Sequence, residues 1–386
     1  MFKVRTLNKI SSTGLSTFGA GYRISDDEAR PDAIILRSFK MHDMELPEGL
    51  RVVARAGAGV NNIPIDKCTQ ASVVVFNTPG ANANAVKELV ICGLMLSARK
   101  IWQGINWVQA QQGNPDVPAL VEKEKANFGG GEILGKTMGI IGISGAIGLR
   151  LANACYALGM KVVGVDESAE VSSEVRAALH PEIRILPLEE VLAASDFVSL
   201  NLPFNNKTKH MINADLLAKF KKGAVLVNMA RAEIVDDAAL KTALAGGQIA
   251  TYVTDFPNGD LLGLDNVIAI PHLGASTDEA EENCALMAVA QTRDYLERGN
   301  IVNSVNYPTV TTDGDGVRLC ITYNSAHPIA DKIHAVLSAE GHAYDFYDAT
   351  RGPIGYAIAL LDEDADGHAV SEDLQEMPGI LDVRVL

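Results

Sequence analysis

The chain has 386 residues, a length that allows two or three domains. Its composition, with 47% hydrophobic and 21% charged residues, is that of a soluble globular protein. No apolar run approaches the roughly 20 residues that a membrane span requires. The net charge of −15 argues against nucleic acid or an anionic membrane as a partner. A small anionic substrate remains compatible with this charge, because a few local arginines can outweigh a distant field.

The cysteine content predicts a reducing compartment. The five cysteines are odd in number, scattered and without a CxxC pair, which is typical of reduced, mostly buried thiols and indicates no zinc site. The first residues, Met1–Arg5, lack the apolar core of a signal peptide and are predicted to form the first strand. We therefore expect a cytoplasmic protein.

Short apolar runs alternate with helical patterns over the first three hundred residues. Continuous apolar strands separated by helices are typical of parallel sheets covered on both faces. We predict an α/β fold with two doubly wound domains, in which the first three runs form one sheet and the others a second sheet. The predicted strands are Ala33–Leu36, Val52–Ala54, Val73–Phe76, Gly139–Ile143, Lys161–Val165, Phe197–Leu200, Ala224–Asn228, Thr251–Thr254 and Val267–Ile270.

The boundary between these two domains is predicted near a polar, glycine-rich segment from Gly113 to Gly131. We assign residues 1–97 and 276–303 to the first domain and residues 98–275 to the second. The helix that returns to the first domain is predicted to begin at a capping box in Ser276–Glu279.

The last part of the chain is predicted to be a small, separate α+β sandwich at 317–386, joined by a linker at 304–316. Its order is strand, helix, strand, strand, helix, strand. The predicted elements are Val317–Thr322, Ile329–Glu340, Ala343–Asp348, Gly355–Leu361, Val370–Glu376 and Ile380–Leu386.

A glycine-rich turn follows one of the predicted strands and opens an apolar helix. Gly142, Gly145 and Gly148 allow backbone N–H groups to approach a pyrophosphate closely. Ala146 and Ile147 lie in the first turn of the helix, whose N-terminus favours an anion. The sequence therefore predicts a dinucleotide site in a Rossmann domain.

The acidic residue expected in such a domain is Asp166, about 20 residues further on at the end of the next strand. A carboxylate there accepts both ribose hydroxyls and repels a 2′-phosphate, so we predict NAD rather than NADP. The glycine spacing is GxxGxxG rather than GxGxxG, with Ser144 as the additional residue. We expect this extra residue to weaken cofactor affinity without abolishing it.

Arg231, Asp255, Asp260 and His272 lie near the ends of later strand-like runs. An arginine can bind a carboxylate and polarise the adjacent carbonyl, and an imidazole can exchange a proton with a hydroxyl group. A neighbouring carboxylate favours the imidazolium form. Beside a nicotinamide, these groups would move a hydride to or from a hydroxy acid. The alternatives are a surface ion pair for the arginine and an ordinary turn for the histidine.

The chain resembles the D-isomer-specific 2-hydroxyacid dehydrogenases over residues 1–303, which implies a flavodoxin-like substrate domain and a Rossmann NAD domain. The resemblance implies that Arg231 and His272 are catalytic, and that Asp255 lies near the nicotinamide carboxamide. It places Asp260 where the family has the glutamate that pairs with the histidine. The matching segments run in family order: Arg55–Ile63, Asn77–Gly80, Glu88-Leu89, the glycine turn, Asn228–Arg231 and Pro271–Thr277.

The substrate implied by the resemblance is 3-phosphoglycerate, oxidised to 3-phosphohydroxypyruvate at the start of serine synthesis. In the members that act on this substrate, arginines of the first domain bind the phosphate, and Arg37 and Arg55 match those places. Lys125 is a further candidate for the phosphate, from a neighbouring subunit. The backbone at Ala56, Gly57 and Gly59 is predicted to hold the carboxylate.

Residues 317–386 resemble an ACT domain, a fold that pairs edge to edge and binds amino acids. Ala326, Ile329 and Ala343 replace the groups that contact serine in serine-inhibited relatives, so we predict weak or no serine inhibition. The expected assembly is a homodimer or homotetramer. Two alternative functions remain: oxidation of another D-2-hydroxy acid, and a non-catalytic NAD-sensing scaffold.

Overall fold

The computed structural model of the chain describes residues 1–167, 170–327, 329–339 and 343–386. One sequence prediction, Glu340 at the end of the first helix of the ACT-like segment, lies outside these residues. The chain forms two compact units: Met1–Asn82 with Asp278–Leu386, and Ala83–Thr277. None of the helices in the described ranges is long and apolar enough to cross a membrane.

The first unit begins with a five-stranded parallel sheet in the order β2-β1-β3-β4-β5, the flavodoxin-like arrangement predicted from the sequence. The edge strand β2 is not predicted, because it is largely exposed and has no continuous apolar run. The elements are β1 Phe2–Leu7, α1 Ser12–Ser16, β2 Tyr22–Ser25, β3 Ala33–Leu36, β4 Val52–Arg55, α2 Ile65–Gln70 and β5 Val74–Phe76.

The second unit contains a seven-stranded parallel sheet in the order β12-β11-β10-β9-β6-β7-β8. This is the Rossmann order with one additional strand, so the predicted fold class is confirmed. Its helices are α3 Ala83–Ala98, α4 Ile101–Gln109, α5 Val117–Glu124, α6 Ala146–Ala157, α7 Ser173–Ala178, α8 Leu188–Ala194, α9 Ala214–Leu217 and α10 Asp237–Ala245. Its strands are β6 Thr137–Ile141, β7 Lys161–Val165, β8 Arg184–Ile185, β9 Phe197–Leu200, β10 Ala224–Asn228, β11 Ile249–Thr254 and β12 Val267–Ala269.

The first boundary between the units differs from the predicted one, because α3 belongs to the second unit. Val90 and Leu94 of α3 are fully buried in the same core as Met138 of β6. Gly93 permits a close approach to the sheet, since a Cβ at this position would lie 2.8 Å from Val253 Cγ1. The amphipathic pattern of α3 does not reveal which of the two parallel sheets it covers, so the sequence misplaces it.

The remaining elements belong to the first unit and follow the predicted order. The long helix of this group ends at Arg298, immediately before Gly299. The described elements are α11 Asp278–Arg298, β13 Val317–Asn324, α12 Ala330–Ala339, β14 Tyr344–Arg351, β15 Ile354–Leu361, α13 Gly367–Gln375 and β16 Ile380–Val385. The strands form an antiparallel sheet in the order β14-β15-β13-β16.

This C-terminal sheet is not a separate sandwich, because both of its faces are buried within the unit. Side chains alternate between the two faces of a strand. Leu319 and Ile321 of β13 join a core with α12 and α13. Cys320 of the same strand, with Tyr356 of β15, joins the core that includes Tyr295 of α11. The sequence does not reveal this second interface, because the residues on both faces are equally apolar.

The predicted linker is likewise packed against the first sheet. β5 is the edge strand of that sheet, and Asn306 covers its open side: its Oδ1 accepts the N–H of Val75 at 2.8 Å, and its Nδ2 donates to Val73 O at 2.9 Å. The Ser304 hydroxyl donates to Val75 O at 3.1 Å. These bonds satisfy an exposed strand edge and fix the start of the C-terminal segment.

The C-terminal end of α11 is held by polar groups from the C-terminal sheet. Arg384 Nη2 donates to Leu296 O at 3.1 Å, and Arg318 Nη1 donates to Arg298 O at 3.0 Å. The buried Tyr356 hydroxyl donates to Gly299 O at 2.6 Å. Two guanidinium groups at a helix C-terminus complement the helix dipole and satisfy its unpaired carbonyls.

We predict that Tyr356→Phe destabilises the protein by about 1–3 kcal/mol, because it leaves the buried carbonyl of Gly299 without its donor. Denaturant unfolding of the full chain measures this change. The control Tyr347→Phe removes a hydroxyl from an exposed side chain and is expected to alter stability by less than about 0.5 kcal/mol. Equal stability of the two variants would contradict the proposed coupling of the C-terminal sheet to α11.

Candidate active site

The predicted site residues of the second unit follow the carboxyl ends of strands in one parallel sheet. In a parallel sheet these ends share one edge, and ligands bind beside the point where the strand order reverses, here between β6 and β9. The residues at this edge are Gly142 after β6, Asp166 after β7, Arg231 after β10, Asp255 after β11 and His272 after β12. The sheet therefore assembles groups that are more than a hundred residues apart in the chain.

The glycine turn has the backbone geometry of a dinucleotide site. The strand β6 ends at Ile141, two residues before the predicted end, because Gly142 turns the chain with a φ of +86°. A Cβ on Gly148 would lie 2.2 Å from the carbonyl oxygen of Gly142, so only glycine permits this packing of helix on strand.

The start of α6 suits a pyrophosphate. Gly145, its N-cap, and Ala146 are exposed, and the N-cap makes no side-chain hydrogen bond. The first-turn N–H groups of α6, which includes Ile147 and Gly148, thus lie at an exposed helix N-terminus that favours an anion. These features fit the phosphates of a dinucleotide.

Asp166 lies beside this turn and is held by it. Asp166 Oδ2 accepts the N–H of Ser144 at 2.9 Å, and Oδ1 accepts the N–H of Glu167 at 2.7 Å. Partial burial acts to raise the pKa of Asp166, but hydrogen bonds from Ser144 and Glu167 outweigh it and leave this pKa below its ordinary value. The carboxylate is therefore ionised, as binding of ribose hydroxyls requires.

Arg231 is presented by a turn that Asn228 holds in place. Asn228, fully buried at the end of β10, donates from Nδ2 to Arg231 O at 2.9 Å and to the Tyr252 hydroxyl at 3.1 Å. Its Oδ1 accepts the N–H of Ala230 at 3.1 Å. A buried amide with its donors and acceptor engaged fixes the backbone from which the arginine extends.

His272 and Asp255 are linked through their backbones. The N–H of His272 donates to Asp255 O at 2.8 Å, and the N–H of Gly274 donates to Asp255 Oδ2 at 3.0 Å. His272 has a φ of +34°, a left-handed conformation that is strained for a residue with a Cβ. The exposed imidazole therefore lies at the sheet edge on a backbone conformation that is energetically unfavourable for histidine.

Asp255 is a buried carboxylate whose pKa is affected by both predicted catalytic groups. It is 1% exposed, and burial raises its pKa, while the N–H of Gly274 and the charges of His272 and Arg231 partly oppose that rise. Its Oδ1 has no hydrogen-bond partner among the described residues. A buried acceptor of this kind fits the amide group of a nicotinamide, in agreement with the role that the resemblance implies for Asp255.

Both predicted catalytic side chains lie near the ring of Phe256. Arg231 Cζ is 5.7 Å from the centroid of the Phe256 ring, and the His272 ring centroid is 4.6 Å from it. An aromatic face near a cation is mildly attractive and limits the positions that the guanidinium adopts. The sequence analysis misses Phe256, because nothing in its position next to Asp255 indicates where the ring packs.

Two predicted residues of the second unit lie elsewhere. Asp260, predicted to pair with His272, is largely exposed and forms an ion pair with Lys241 at 3.6 Å. The N–H of Asp260 donates to Asn258 Oδ1 at 3.1 Å, and this short loop directs the Asp260 carboxylate toward α10. Lys125, predicted to reach a phosphate, pairs on the surface with Glu122 one helical turn earlier.

In the first unit the two predicted phosphate-binding residues are neighbours. Arg55 Nε donates to Arg37 O at 2.9 Å, which places both arginines at the carboxyl ends of β3 and β4. The Arg37 guanidinium forms an ion pair with Glu281 of α11. The sequence does not indicate this contact, which lowers the local positive charge beside Arg55.

The predicted carboxylate-binding backbone follows β4. Ala56 is nearly buried, with its N–H bonded to Leu36 O at 2.8 Å, while Gly57 and Gly59 are partly exposed. The carbonyl of Gly57 accepts the N–H of Thr78 at 3.1 Å. The turn is thus fixed, with partly exposed glycines at the end of the strand.

Comparison with known proteins shows clear relatives. The family described as D-isomer specific 2-hydroxyacid dehydrogenase, NAD binding domain, matches residues 92–274. A D-3-phosphoglycerate dehydrogenase of Methanocaldococcus jannaschii is 33% identical over 288 residues, or 72% of this chain and 52% of that protein. A hydroxypyruvate reductase of Thermotoga maritima is 35% identical over 271 residues, or 67% of this chain and 82% of that protein. The crystal structure of a glyoxylate reductase from Paecilomyes thermophila is 25% identical, with a TM-score of 0.65, and covers 79% of this chain and 98% of its own.

The chain belongs to the D-isomer-specific 2-hydroxyacid dehydrogenase family, and residues 92–274 match the NAD-binding domain of that family. The resemblance seen in the sequence motifs and the prediction of NAD as cofactor are confirmed. The chain spans about half the length of the phosphoglycerate dehydrogenases that it matches, 52% in the case of the M. jannaschii protein.

We predict that Asp255→Asn slows turnover but stabilises the fold at neutral pH. Because burial raises the pKa of Asp255, the wild-type protein loses stability as the pH rises from the ordinary carboxyl pKa, about 4, through the higher value in the folded state. Asp255→Asn replaces the carboxyl with an amide that does not ionise, so the variant does not lose stability in this way as the pH rises. The stability difference, measured by denaturant unfolding, should be smallest at or below about pH 4 and should grow as the pH rises above it. A variant that is less stable at every pH would contradict this account.

Proposed function

We propose that the chain is an NAD-dependent dehydrogenase that oxidises 3-phosphoglycerate to 3-phosphohydroxypyruvate, the first step of L-serine biosynthesis. The observation that carries this proposal is the grouping of Arg231, Phe256, Asp255 and His272 at the sheet edge that also carries the glycine turn. Phosphoglycerate dehydrogenases that are 33–37% identical to this chain support the choice of substrate.

The residues have distinct parts in this reaction. NAD held at the glycine turn and Asp166 would supply the hydride acceptor for C2 of the hydroxy acid. His272 takes the proton of the hydroxyl group during oxidation and returns it during reduction. Arg231 binds the substrate carboxylate and stabilises the charge that develops on the oxygen at C2. Asp255 is buried, and its Oδ1, unpaired among the described residues, could accept a hydrogen bond from the nicotinamide amide group.

Arg37 and Arg55 support a phosphorylated substrate. A guanidinium group matches a phosphate through paired hydrogen bonds, and the Arg55 side chain donates to the backbone carbonyl of Arg37, which keeps the two residues adjacent. We propose that the phosphate displaces Glu281 from Arg37 when it binds. The turn at Ala56, Gly57 and Gly59 offers backbone groups for the substrate carboxylate.

A second candidate is reduction of an unphosphorylated 2-oxoacid. This chain covers 82% of a hydroxypyruvate reductase but only 52% of the M. jannaschii phosphoglycerate dehydrogenase. The ion pair of Arg37 with Glu281 also weakens the positive charge available to a phosphate. In this case the enzyme would carry out the same hydride and proton transfers on another D-2-hydroxy acid.

The decisive experiment follows NADH absorbance with 3-phosphohydroxypyruvate and with hydroxypyruvate, glyoxylate and other unphosphorylated 2-oxoacids. We expect the highest kcat/KM for the phosphorylated compound, and Arg37→Gln to lower that value by about 10- to 100-fold through loss of charge-assisted hydrogen bonds. Broad activity that Arg37→Gln leaves unchanged would favour the second candidate.

The same assay with His272→Ala separates an enzyme from an NAD-sensing scaffold. We expect turnover to fall by at least about 100-fold, because the proton acceptor is lost. NADH binding, measured by fluorescence titration, should stay within about twofold. A wild-type protein that binds NADH but turns over none of these substrates would make the scaffold the better reading.

Beyond its substrate, we propose that the protein acts as a homodimer or homotetramer in the cytoplasm, without nucleic acid or membrane partners. The five cysteines are free thiols, four of them buried, as expected in a reducing compartment. Trp102, Ile105 and Val108 are each more than 40% exposed on one face of α4. An apolar face of this kind suits the same face of a second copy.

We expect sedimentation velocity to show a dimer or tetramer, and Trp102→Arg to shift it toward the monomer by placing a charge in the apolar face. Gln112→Arg adds the same charge to an exposed position just beyond α4 and should leave the assembly unchanged. A wild-type monomer at micromolar concentration would refute the proposed assembly.

A further inference from the structure

The glycine turn is one residue longer than the usual GxGxxG spacing, and Ser144 is the additional residue. The glycines on either side keep their close packing: a Cβ on Gly142 would lie 2.5 Å from Asn201 O, and one on Gly148 would lie 2.2 Å from Gly142 O. The N–H of Gly145 donates to Gly142 O at 3.3 Å and closes the turn. The extra residue is therefore accommodated within the turn, while the strand and helix around it remain tightly packed.

The two residues inside the turn have different surroundings. Ile143 is fully buried and lies over Gly164 of β7, where a Cβ would approach Ile143 Cδ1 to 2.3 Å. Ser144 is half-buried, and its N–H donates to Asp166 Oδ2 at 2.9 Å. The Ser144 hydroxyl lies on the same residue and contributes to lowering the pKa of this carboxylate. Ile143 thus anchors the turn in the core while Ser144 meets the acidic residue at the end of β7.

These contacts define the orientation and the charge of Asp166. Its Oδ1 accepts the N–H of Glu167 at 2.7 Å, so both carboxylate oxygens are held. The Glu167 side chain itself pairs with Lys207 at 2.6 Å. Hydrogen bonds from Ser144 are the leading influences that keep the pKa of Asp166 low against the effect of burial. A fixed, ionised carboxylate accepts ribose hydroxyls and repels a 2′-phosphate.

We propose that Ser144 is a positioning residue of the cofactor site, which sets the affinity for NAD and the discrimination against NADP by holding the Asp166 carboxylate. This rests on the NAD dependence of the proposed function and reverses the expectation that the additional residue weakens binding. Deletion of Ser144 to restore GxGxxG distinguishes the two views. It should weaken NAD binding if Ser144 positions Asp166, and strengthen NAD binding if the additional residue only disturbs the turn.

The test is a fluorescence titration of the full chain with NADH and with NADPH. Ser144→Ala removes the hydroxyl and should raise the Kd for NADH about three- to tenfold, while the preference for NADH over NADPH narrows. Deletion of Ser144 removes the N–H as well and should raise this Kd at least as much. Ser144→Thr, which retains both groups, should stay within about twofold of the wild type.

A matched control and a pH series exclude a purely structural effect. Ser173→Ala removes an exposed hydroxyl that bonds to the neighbouring Glu174, and should leave both Kd values unchanged. Protonation of Asp166 weakens ribose binding, so Ser144→Ala should lose NADH affinity at a higher pH on the acid side than the wild type does. Circular dichroism of each variant verifies that it is folded.

Tighter NADH binding on deletion of Ser144 would overturn the proposal. So would a Ser144→Ala variant whose Kd for NADH is unchanged and whose loss of NADH affinity at low pH occurs at the same pH as in the wild type. A wild-type chain that binds no NADH would also overturn it. Because the measured quantity is binding, a chain that binds NADH but lacks turnover would refute the proposed function alone, and the Ser144 variants would still decide this inference.

Discussion

The parallel hydrogen bonding of the seven-stranded sheet is the constraint on which the candidate active site depends. Because its strands all run in one direction, the residues that follow β6, β7, β10, β11 and β12 meet at one edge. The register of the buried strands fixes the position of this edge, and short turns extend from it. Asn228 illustrates the arrangement: it ends a fully buried strand and uses its amide to fix the turn that carries Arg231.

A second constraint joins the C-terminal sheet to the first unit. The carbonyls at the end of α11 need donors, and Arg318, Tyr356 and Arg384 of the C-terminal sheet supply them from a buried interface. The same helix carries Glu281, which pairs with Arg37. The C-terminal sheet is therefore part of the structural support of the helix that contacts a predicted substrate-binding residue. Its likeness to an ACT domain remains a prediction.

The candidate site is assembled at a cost in stability. His272 has a left-handed backbone conformation, and Asp255 is a buried carboxylate with one unpaired oxygen. Each feature is unfavourable by itself, and the surrounding sheet must offset it. Such local conflicts are typical of functional residues, since a side chain that must meet a substrate or cofactor cannot be optimised for the fold alone. Asp255 and His272 are for this reason better candidates than the exposed, surface-paired Asp260.

The sequence by itself determined the α/β class, most of the strands, and the order of Gly142, Asp166, Arg231 and His272 along the chain. These features are local: apolar runs mark buried strands, and glycine marks turns with a positive φ. Only the tertiary structure decided which side chains meet. It placed Asp260 beside Lys241, Glu281 beside Arg37, Ser144 beside Asp166, and Phe256 near both Arg231 and His272. It also packed the C-terminal sheet against α11, because such contacts depend on side-chain directions and long-range packing that no local pattern encodes.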